Sequence, residues 1–254
     1  MVKEDERVDL VTHLEELRTR LLRVMAYALV GMAALWFFFK PIYGFLIRPI
    51  SEPLKHVGGE LTVRGLMEGF LIKCEIALVG GIIIAAPLIY REVWAFVAPG
   101  LTGRERRVIR PLVPVSGVLF LMGVALAYLM TGPSVKWLLL YVPPEARALI
   151  TLNDTLLLVL KFYLAFGLAF QLPIVLIVLA KMGIVESTML SRRWREAVVV
   201  IFVIAAIITP TWDPITMTVC ALPMVALYMG TLGVIKVMER YSRKAEEKAE
   251  SDEG

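Results

Sequence analysis

Long apolar runs constrain this chain more than any other feature of its sequence. Hydropathy predicts six of them, near 22–39, 73–95, 112–130, 157–180, 196–210 and 217–235. Several approach the roughly 20 residues that a helix needs to cross a hydrocarbon core of about 30 Å. The composition agrees, because 58% of the residues are hydrophobic and the mean hydropathy is +0.74, which exceeds that of water-soluble domains. We therefore predict an all-α integral membrane protein with six transmembrane helices.

The last two predicted spans are short, and three spans contain a proline. The apolar part of the fifth, AVVVIFVIAAIIT, covers only about 20 Å. The last two spans could instead be a re-entrant pair that does not cross the membrane. The C-terminal tail would then lie on the same side of the membrane as it does with two full crossings. Each of these prolines, Pro87, Pro173 and Pro223, removes a backbone hydrogen bond within a span. They predict either kinks whose free carbonyls bond to neighbouring helices or a curved, concave bundle. We expect one membrane domain over residues 1–238, followed by a charged, disordered cytoplasmic tail over 239–254.

Positive charge is distributed unequally between alternate loops. Nineteen lysines and arginines fall in the N-terminal segment, residues 91–110, residues 181–195 and the tail, and eight fall in the other segments. Because basic residues are retained inside the cell, this asymmetry predicts a multi-pass protein of the cell membrane with both termini in the cytoplasm. The loops near 40–72 and 131–156 then face outside. The first of them has the mixed aromatic and aliphatic composition of short interfacial helices.

Signals for enzyme or cofactor chemistry are missing from the sequence. Its only histidines, His13 and His56, are predicted on opposite sides of the membrane. Cys74 and Cys220 are isolated, without a C-x-x-C pair or a neighbouring histidine, so neither a metal site nor redox chemistry is predicted. No metalloprotease, hydrolase or phosphate-binding motif occurs. We predict a protein that is not an enzyme and needs no cofactor. Topology explains the basic loops without nucleic acid as a partner.

The N-terminal segment THLEELRTRLL has the pattern of an amphipathic helix with two adjacent acids. Thr12 and Glu15 match the spacing of a capping box, which gives Glu15 a structural role. Glu16 is left over, and Arg20 follows it at the spacing of a helical ion pair. An exposed pair of this kind contributes only about 0.3–0.5 kcal/mol. It is the simplest explanation of Glu16 from spacing alone.

Four further positions have both a structural and a functional interpretation. Glu105 stands among four arginines, and it either pairs with one of them in a solvated loop or contacts a ligand. Phe96 ends the second span, where aromatic residues form an interfacial belt or contact a ligand. Gln171 lies near the middle of the fourth span, where an amide bonds to another helix or lines a path. Asp213 lies at the outer end of a span, where capping or turn formation is the simplest role.

The chain resembles the TatC family, the multi-spanning core of the twin-arginine protein translocase. The similar stretches are THLEELRTRLL, PLIYREVWAFVAPGLTGRERR, FGLAFQLPIVL and TPTWDPITMTVCALPM. They occur in the family's order, from about residue 9 to 235, with the same six-span plan and both ends inside. The first two motifs are specific in combination, and either alone would only be suggestive.

The resemblance implies a function and the residues that carry it. Proteins of this family bind signal peptides with two consecutive arginines. With single-span partners of the TatA and TatB type, in a larger complex, they move folded proteins across the membrane using the proton-motive force. The family's recognition residues correspond to Glu16, Glu105 and Phe96. Its positions for transport or assembly correspond to Pro49, Gln171 and Asp213, although the family usually has Glu where this chain has Gln171.

A small-molecule secondary transporter with a polar site at the midplane is the alternative function. Such transporters usually have more intramembrane charge and repeated halves. The sequence shows neither feature. A structural membrane scaffold is a third class, and binding of a twin-arginine peptide would separate all three.

Overall fold

Helices account for almost all of the secondary structure. The computed structural model describes the backbone of residues 2–97, 103–143, 145–146, 148–209 and 214–253, and the side chains of these residues apart from 2–12, 103–110 and 242–253. The described elements are α1 (Val2–Phe37), α2 (Phe39–His56), β1 (Glu60–Thr62), α3 (Glu68–Val97), α4 (Gly103–Leu139), β2 (Leu149–Thr151), α5 (Leu152–Ala169), α6 (Leu172–Lys181), α7 (Ser187–Arg192), α8 (Trp194–Ile208) and α9 (Pro214–Glu253). The prediction of a helical chain is confirmed, and two strands of three residues are added to it.

Apolar helical segments occupy all six predicted spans. In the described part of the chain, five segments are long and apolar enough to cross a membrane: His13–Phe37, Glu68–Val97, Pro111–Leu139, Leu152–Lys181 and Pro214–Tyr241. The remaining span corresponds to α8, which has 15 residues and is about 22 Å long. This helix is short, as predicted. The six-span, all-helical plan follows from these segments.

The end of the chain differs from the prediction in two respects. The sixth span is longer than its predicted bounds of 217–235, because the helical segment Pro214–Tyr241 has 28 residues and continues without a break through Pro223. The tail over 239–254 is predicted to be disordered, but α9 continues to Glu253. Lysine, glutamate and alanine dominate the segment RKAEEKAE, and their high helix propensity explains the continuation.

The helix α1 also begins earlier than its sequence signals predict. It starts at Val2, so Thr12 lies within the helix and the predicted capping box is not at its start. The side chain of Glu15 is exposed. The backbone carbonyl of Glu15 accepts a hydrogen bond from the hydroxyl of Thr19 at 2.9 Å. Glu15 therefore has no capping role.

The contacts divide the chain into two compact units, residues 1–167 and 168–254, where the sequence predicts one membrane domain. In the first unit, α1 packs mainly against α3, and α4 contacts both α2 and α3. In the second unit, α6, α7 and α8 each contact α9. Each unit is therefore organised around one long helix, α3 in the first and α9 in the second.

Helices α1 and α3 come into backbone contact at two glycines. A Cβ atom added to Gly31 would lie 2.5 Å from the carbonyl oxygen of Gly81. The obstacle is backbone, which cannot turn aside as a flexible side chain can. Trp36, near the end of α1, meets Phe70, near the start of α3, edge-on at 6.1 Å between ring centroids. The two helices are therefore antiparallel, and their register is fixed where small residues allow close approach.

A small parallel sheet joins the two loops that are predicted to lie outside. Strand β1 pairs with β2, with Leu61 opposite Ile150. The buried carboxylate of Glu68 accepts the backbone N–H of Arg64 and, at 3.1 Å, that of Asn153. These hydrogen bonds replace those that the carboxylate would make with water. Glu68 thus connects the start of α3 to the start of α5.

Helix α2 lies in the first of these loops, where a short helix is predicted. Its buried residues Leu46, Ile50 and Leu54 recur every four residues and form one apolar face. Pro49 is partly buried within α2, and a Cβ atom added to Gly132 of α4 would lie 3.6 Å from the carbonyl oxygen of Pro49. Pro49 thus belongs to the contact between α2 and α4.

We expect Gly81→Ala to destabilise the protein, because the new methyl group would lie about 2.5 Å from the backbone of α1. Overpacking costs about 1–3 kcal/mol, more than the roughly 0.5–1 kcal/mol gained when alanine replaces glycine in a helix. The measurement is the thermal unfolding midpoint of the full-length protein in detergent, followed by circular dichroism.

Gly69→Ala is the matched control in the same helix, since a Cβ atom there would have nothing within 4 Å. Its midpoint should equal or exceed that of the wild type. Equal midpoints for the two variants would show that the glycine contact does not hold α1 against α3.

Candidate functional site

Two acids from different helices share one guanidinium at the end of the α1–α3 pair. Arg20 donates Nε and Nη2 to Oε1 of Glu16, at 3.0 and 2.6 Å. It also donates Nη1 to Oε2 of Glu92 on α3, at 3.1 Å. The helical ion pair predicted as the simplest role of Glu16 is therefore present. The fold adds a second carboxylate to it.

The glycine contact explains why these side chains meet. Arg20 lies 11 residues before Gly31, and Glu92 lies 11 residues after Gly81. Eleven residues are about three helical turns, or about 16 Å. In antiparallel helices, both side chains therefore return to the contact face at the same level.

Glu92 is the site residue that the sequence analysis missed. Its side chain is only 6% exposed. Its carboxylate also lies 3.6 Å from Nη1 of Arg23 and accepts the hydroxyl of Tyr27 at 3.4 Å. A carboxylate this buried needs such partners. The available signal was a single acid close to the end of an apolar span, where ionisable residues are often functional.

Phe96 is linked to Glu16 through His13. The Phe96 ring stacks on the imidazole of His13, with 4.5 Å between ring centroids and an interplanar angle of 19°. Nδ1 of His13 lies 4.0 Å from Oε2 of Glu16. His13 therefore connects the predicted acid to the predicted aromatic residue. This histidine could not be recognised from its local sequence, because its ring partner comes from another helix.

Electrostatically, the cluster consists of two carboxylates and two guanidiniums whose formal charges cancel. Glu16 and Glu92 face Arg20 and Arg23 at 2.6–3.6 Å. Oxygen Oε1 of Glu16 is occupied, whereas Oε2 has only the distant contact with His13 among the described residues. In this arrangement the carboxylates hold guanidinium groups of the chain itself, and its described side chains include no nucleophile–base pair. Among the side chains that the structure describes, no group of three or more His, Cys, Asp or Glu could hold a metal ion.

Two of the predicted residues cannot be compared with the site. Glu105 lies in the first turn of α4, but its side chain is outside the described residues, like those of the four arginines around it. Asp213 belongs to residues 210–213, which are also outside the described part of the chain. The pairing of Glu105 with Glu16 stays a prediction.

Gln171 belongs to the second unit and lies where the fourth span is interrupted. Helix α5 ends at Ala169 and α6 begins at Leu172, because Pro173 has no N–H to donate to the carbonyl of Ala169. The backbone N–H of Gln171 donates to Leu168 at 2.9 Å, and its carbonyl accepts from Ile174 at 3.0 Å. The predicted bend at Pro173 is therefore a helix break, with a partly buried amide side chain at its edge.

Comparison with known proteins gives a consistent family. The family model described as Sec-independent protein translocase protein (TatC) matches residues 12–223. The protein of that name from Koribacter versatilis is 37% identical over 245 residues, which cover 95% of this chain and 90% of that protein. The one from Synechocystis sp. is 34% identical over 242 residues, covering 93% and 91%.

The fold leads to the same family. A crystal structure of the twin arginine translocase receptor TatC in DDM matches this structure with a TM-score of 0.73 and 34% sequence identity. The match covers 88% of this chain and 99% of that chain. A second crystal structure of the receptor matches with the same TM-score and 33% identity. The chain therefore belongs to the TatC family and is a multi-pass membrane subunit of the Sec-independent protein translocase.

Proposed function

We propose that this chain is the signal-peptide receptor and core subunit of a twin-arginine translocase. It binds signal peptides with two consecutive arginines at the end of the α1–α3 pair. The observation that carries the proposal is the guanidinium held between Glu16 and Glu92. It supports arginine recognition because these carboxylates already have the spacing that a planar guanidinium fork requires.

Recognition uses Glu16, Glu105 and Phe96. Two arginines require two acids, so Glu105 from the start of α4 binds the second guanidinium. Phe96 adds an aromatic ring, stacked on His13, to the same end of the helix pair, and aromatic rings attract guanidinium groups. Part of this proposal is that the four arginines next to Glu105 bind lipid phosphates, so that they do not repel the peptide.

The affinity must come from more than ion pairs. An exposed ion pair contributes about 0–1 kcal/mol, whereas binding at about 1 μM requires about 8 kcal/mol. The site is partly desolvated, since Arg20 is 20% exposed and Glu92 6%, and polar bonds strengthen in such surroundings. Leu14, Leu17 and Leu21 are exposed along α1 beside the cluster. They support binding of the apolar segment of the signal peptide.

Both termini lie in the cytoplasm of the cell, and the site faces it. The unequal distribution of lysine and arginine supports this orientation. The start of α1 and the end of α3 lie on one side because the two helices are antiparallel. A signal peptide would therefore reach the site before its cargo is exported.

Export of the folded cargo requires further subunits and energy. The chain assembles with single-span partners of the TatA and TatB type, and with further copies of itself, and the proton-motive force drives transport. Pro49, Gln171 and Asp213 serve transport or assembly. Pro49 does so through the contact of α2 with α4, and Gln171 by keeping a polar group at the helix break.

We expect Glu16→Gln to weaken binding of a twin-arginine signal peptide by about tenfold, because the peptide's guanidinium loses a charged partner worth about 1.4 kcal/mol. The full-length protein in detergent would be titrated with a fluorescent peptide, followed by anisotropy. A peptide with Lys-Lys in place of Arg-Arg should bind the wild type about tenfold more weakly, since an ammonium lacks the planar fork.

Glu15→Gln is the matched control, because it removes the same charge from an adjacent, exposed position. It should leave binding within about twofold of the wild type. Equal losses for Glu15→Gln and Glu16→Gln, or equal affinities for the two peptides, would contradict the receptor function.

At position 171 we expect Gln171→Glu to remain active and Gln171→Leu to export cargo several-fold more slowly. The break requires a polar side chain, and removing a buried polar interaction costs about 0.5–1.5 kcal/mol. The measurement is the rate at which membrane vesicles import a folded twin-arginine substrate. Thermal midpoints and signal-peptide binding of both variants control for folding. A fully active Leu variant would remove Gln171 from the mechanism.

A further inference from the structure

Arg20 occupies a place that an arginine of the peptide would need. Its guanidinium puts two N–H groups on one oxygen of Glu16 and a third on Glu92. These bonds use the planar fork in the way an arginine from a ligand would use it. The arginine site of the proposed function is thus already filled by a residue of the chain itself.

The charge balance gives the peptide no net attraction to this cluster. Glu16 and Glu92 are matched by Arg20 and Arg23 at ion-pair distances. A dibasic ligand would therefore add two positive charges to a neutral site. It can gain a strong bond to Glu16 only by exchange with Arg20.

The two acids are not equivalent in this exchange. Glu16 is 31% exposed, and one of its oxygens has no hydrogen bond within the described part of the chain. Glu92 is 6% exposed and is also bound by Arg23 and Tyr27. Water and ligands can reach Glu16, whereas Glu92 is surrounded by its own helices. Exchange would therefore take place at Glu16, and Arg20 would stay with Glu92.

We infer that Arg20 is an internal competitor for the peptide's arginine, and that Glu92 is the positioning residue that retains Arg20 when the peptide binds Glu16. The inference rests on the proposed function. Each guanidinium then keeps a carboxylate partner when the peptide binds, because Arg20 and Arg23 stay with Glu92 and the peptide's arginine takes Glu16. The free receptor is held partly closed by its own arginine, which lowers the apparent affinity for the peptide.

The first test is Glu92→Gln, which keeps the shape of the side chain and removes its charge. Arg20 then has only one carboxylate among its described neighbours, and a peptide that takes Glu16 leaves Arg20 without any. The dissociation constant for the twin-arginine peptide, measured by anisotropy in detergent, should rise by about tenfold. A salt concentration of about 150 mM reduces effects of net charge alone.

The second test is Arg20→Gln, alone and combined with Glu92→Gln. Removing the competitor should tighten binding about threefold or more. In this background Glu92→Gln should change the affinity less than about twofold, because Arg20, the competitor that Glu92 retains, is no longer present. A purely structural role of Glu92, or an effect of net charge, would instead give Glu92→Gln the same effect in both backgrounds.

The outcomes are distinct from those that test the proposed function. If the wild type binds the peptide and Glu16→Gln loses it, the receptor function stands, and additive effects of the Arg20 and Glu92 substitutions would overturn the exchange. If Glu92→Gln does not fold, as judged by its thermal midpoint, the affinity of Arg20→Gln for the peptide is the test of the inference. Unchanged or weaker binding by that variant would then overturn the inference. Arg48→Gln, at an exposed position on α2, controls for the loss of one positive charge.

Discussion

The backbone contact between Gly31 of α1 and Gly81 of α3 is the constraint on which the site depends. Leucine and valine side chains allow two helices in lipid to slide past each other at little cost, because lipid tails are as apolar as the side chains. A contact that admits no Cβ atom on either side removes this freedom. The site lies about three helical turns from this contact. The contact nevertheless determines the geometry of the site, because Arg20 and Glu92 are the same number of residues away from it.

The cluster of charges at the end of these helices is stable for a related reason. A carboxylate as buried as Glu92 needs polar partners, and the register supplies Arg20, Arg23 and Tyr27 from one face of α1. Arginine suits the central place better than lysine, since its planar fork can donate to both carboxylates at once. Packing in the apolar region and the proposed recognition site at its edge thus belong to the same helix pair.

Much of this arrangement could be predicted from the sequence, and most of the failures concern contacts between distant parts of the chain. The apolar runs located the spans, and the spacing of Glu16 and Arg20 predicted their ion pair, because these signals are local to one helix. Glu92 was missed, since its partners lie more than 60 residues away along the chain. The sheet between β1 and β2 was missed for the same reason, because three-residue strands have no period of their own. Helix ends were misjudged where propensity continued a helix beyond its apolar part, as in α9.

The internal arginine changes what selectivity requires of this site. An empty pair of carboxylates would bind any cation, and lysine and arginine peptides would differ only modestly. A carboxylate already bound by a guanidinium sets a threshold, because a ligand gains only the difference between its own bonds and those of Arg20. In the proposed receptor, an ammonium would fall below this threshold, because it is more strongly hydrated and lacks the planar fork. A guanidinium from the peptide would meet the threshold, and the apolar segment of the peptide would add the surplus that makes binding favourable.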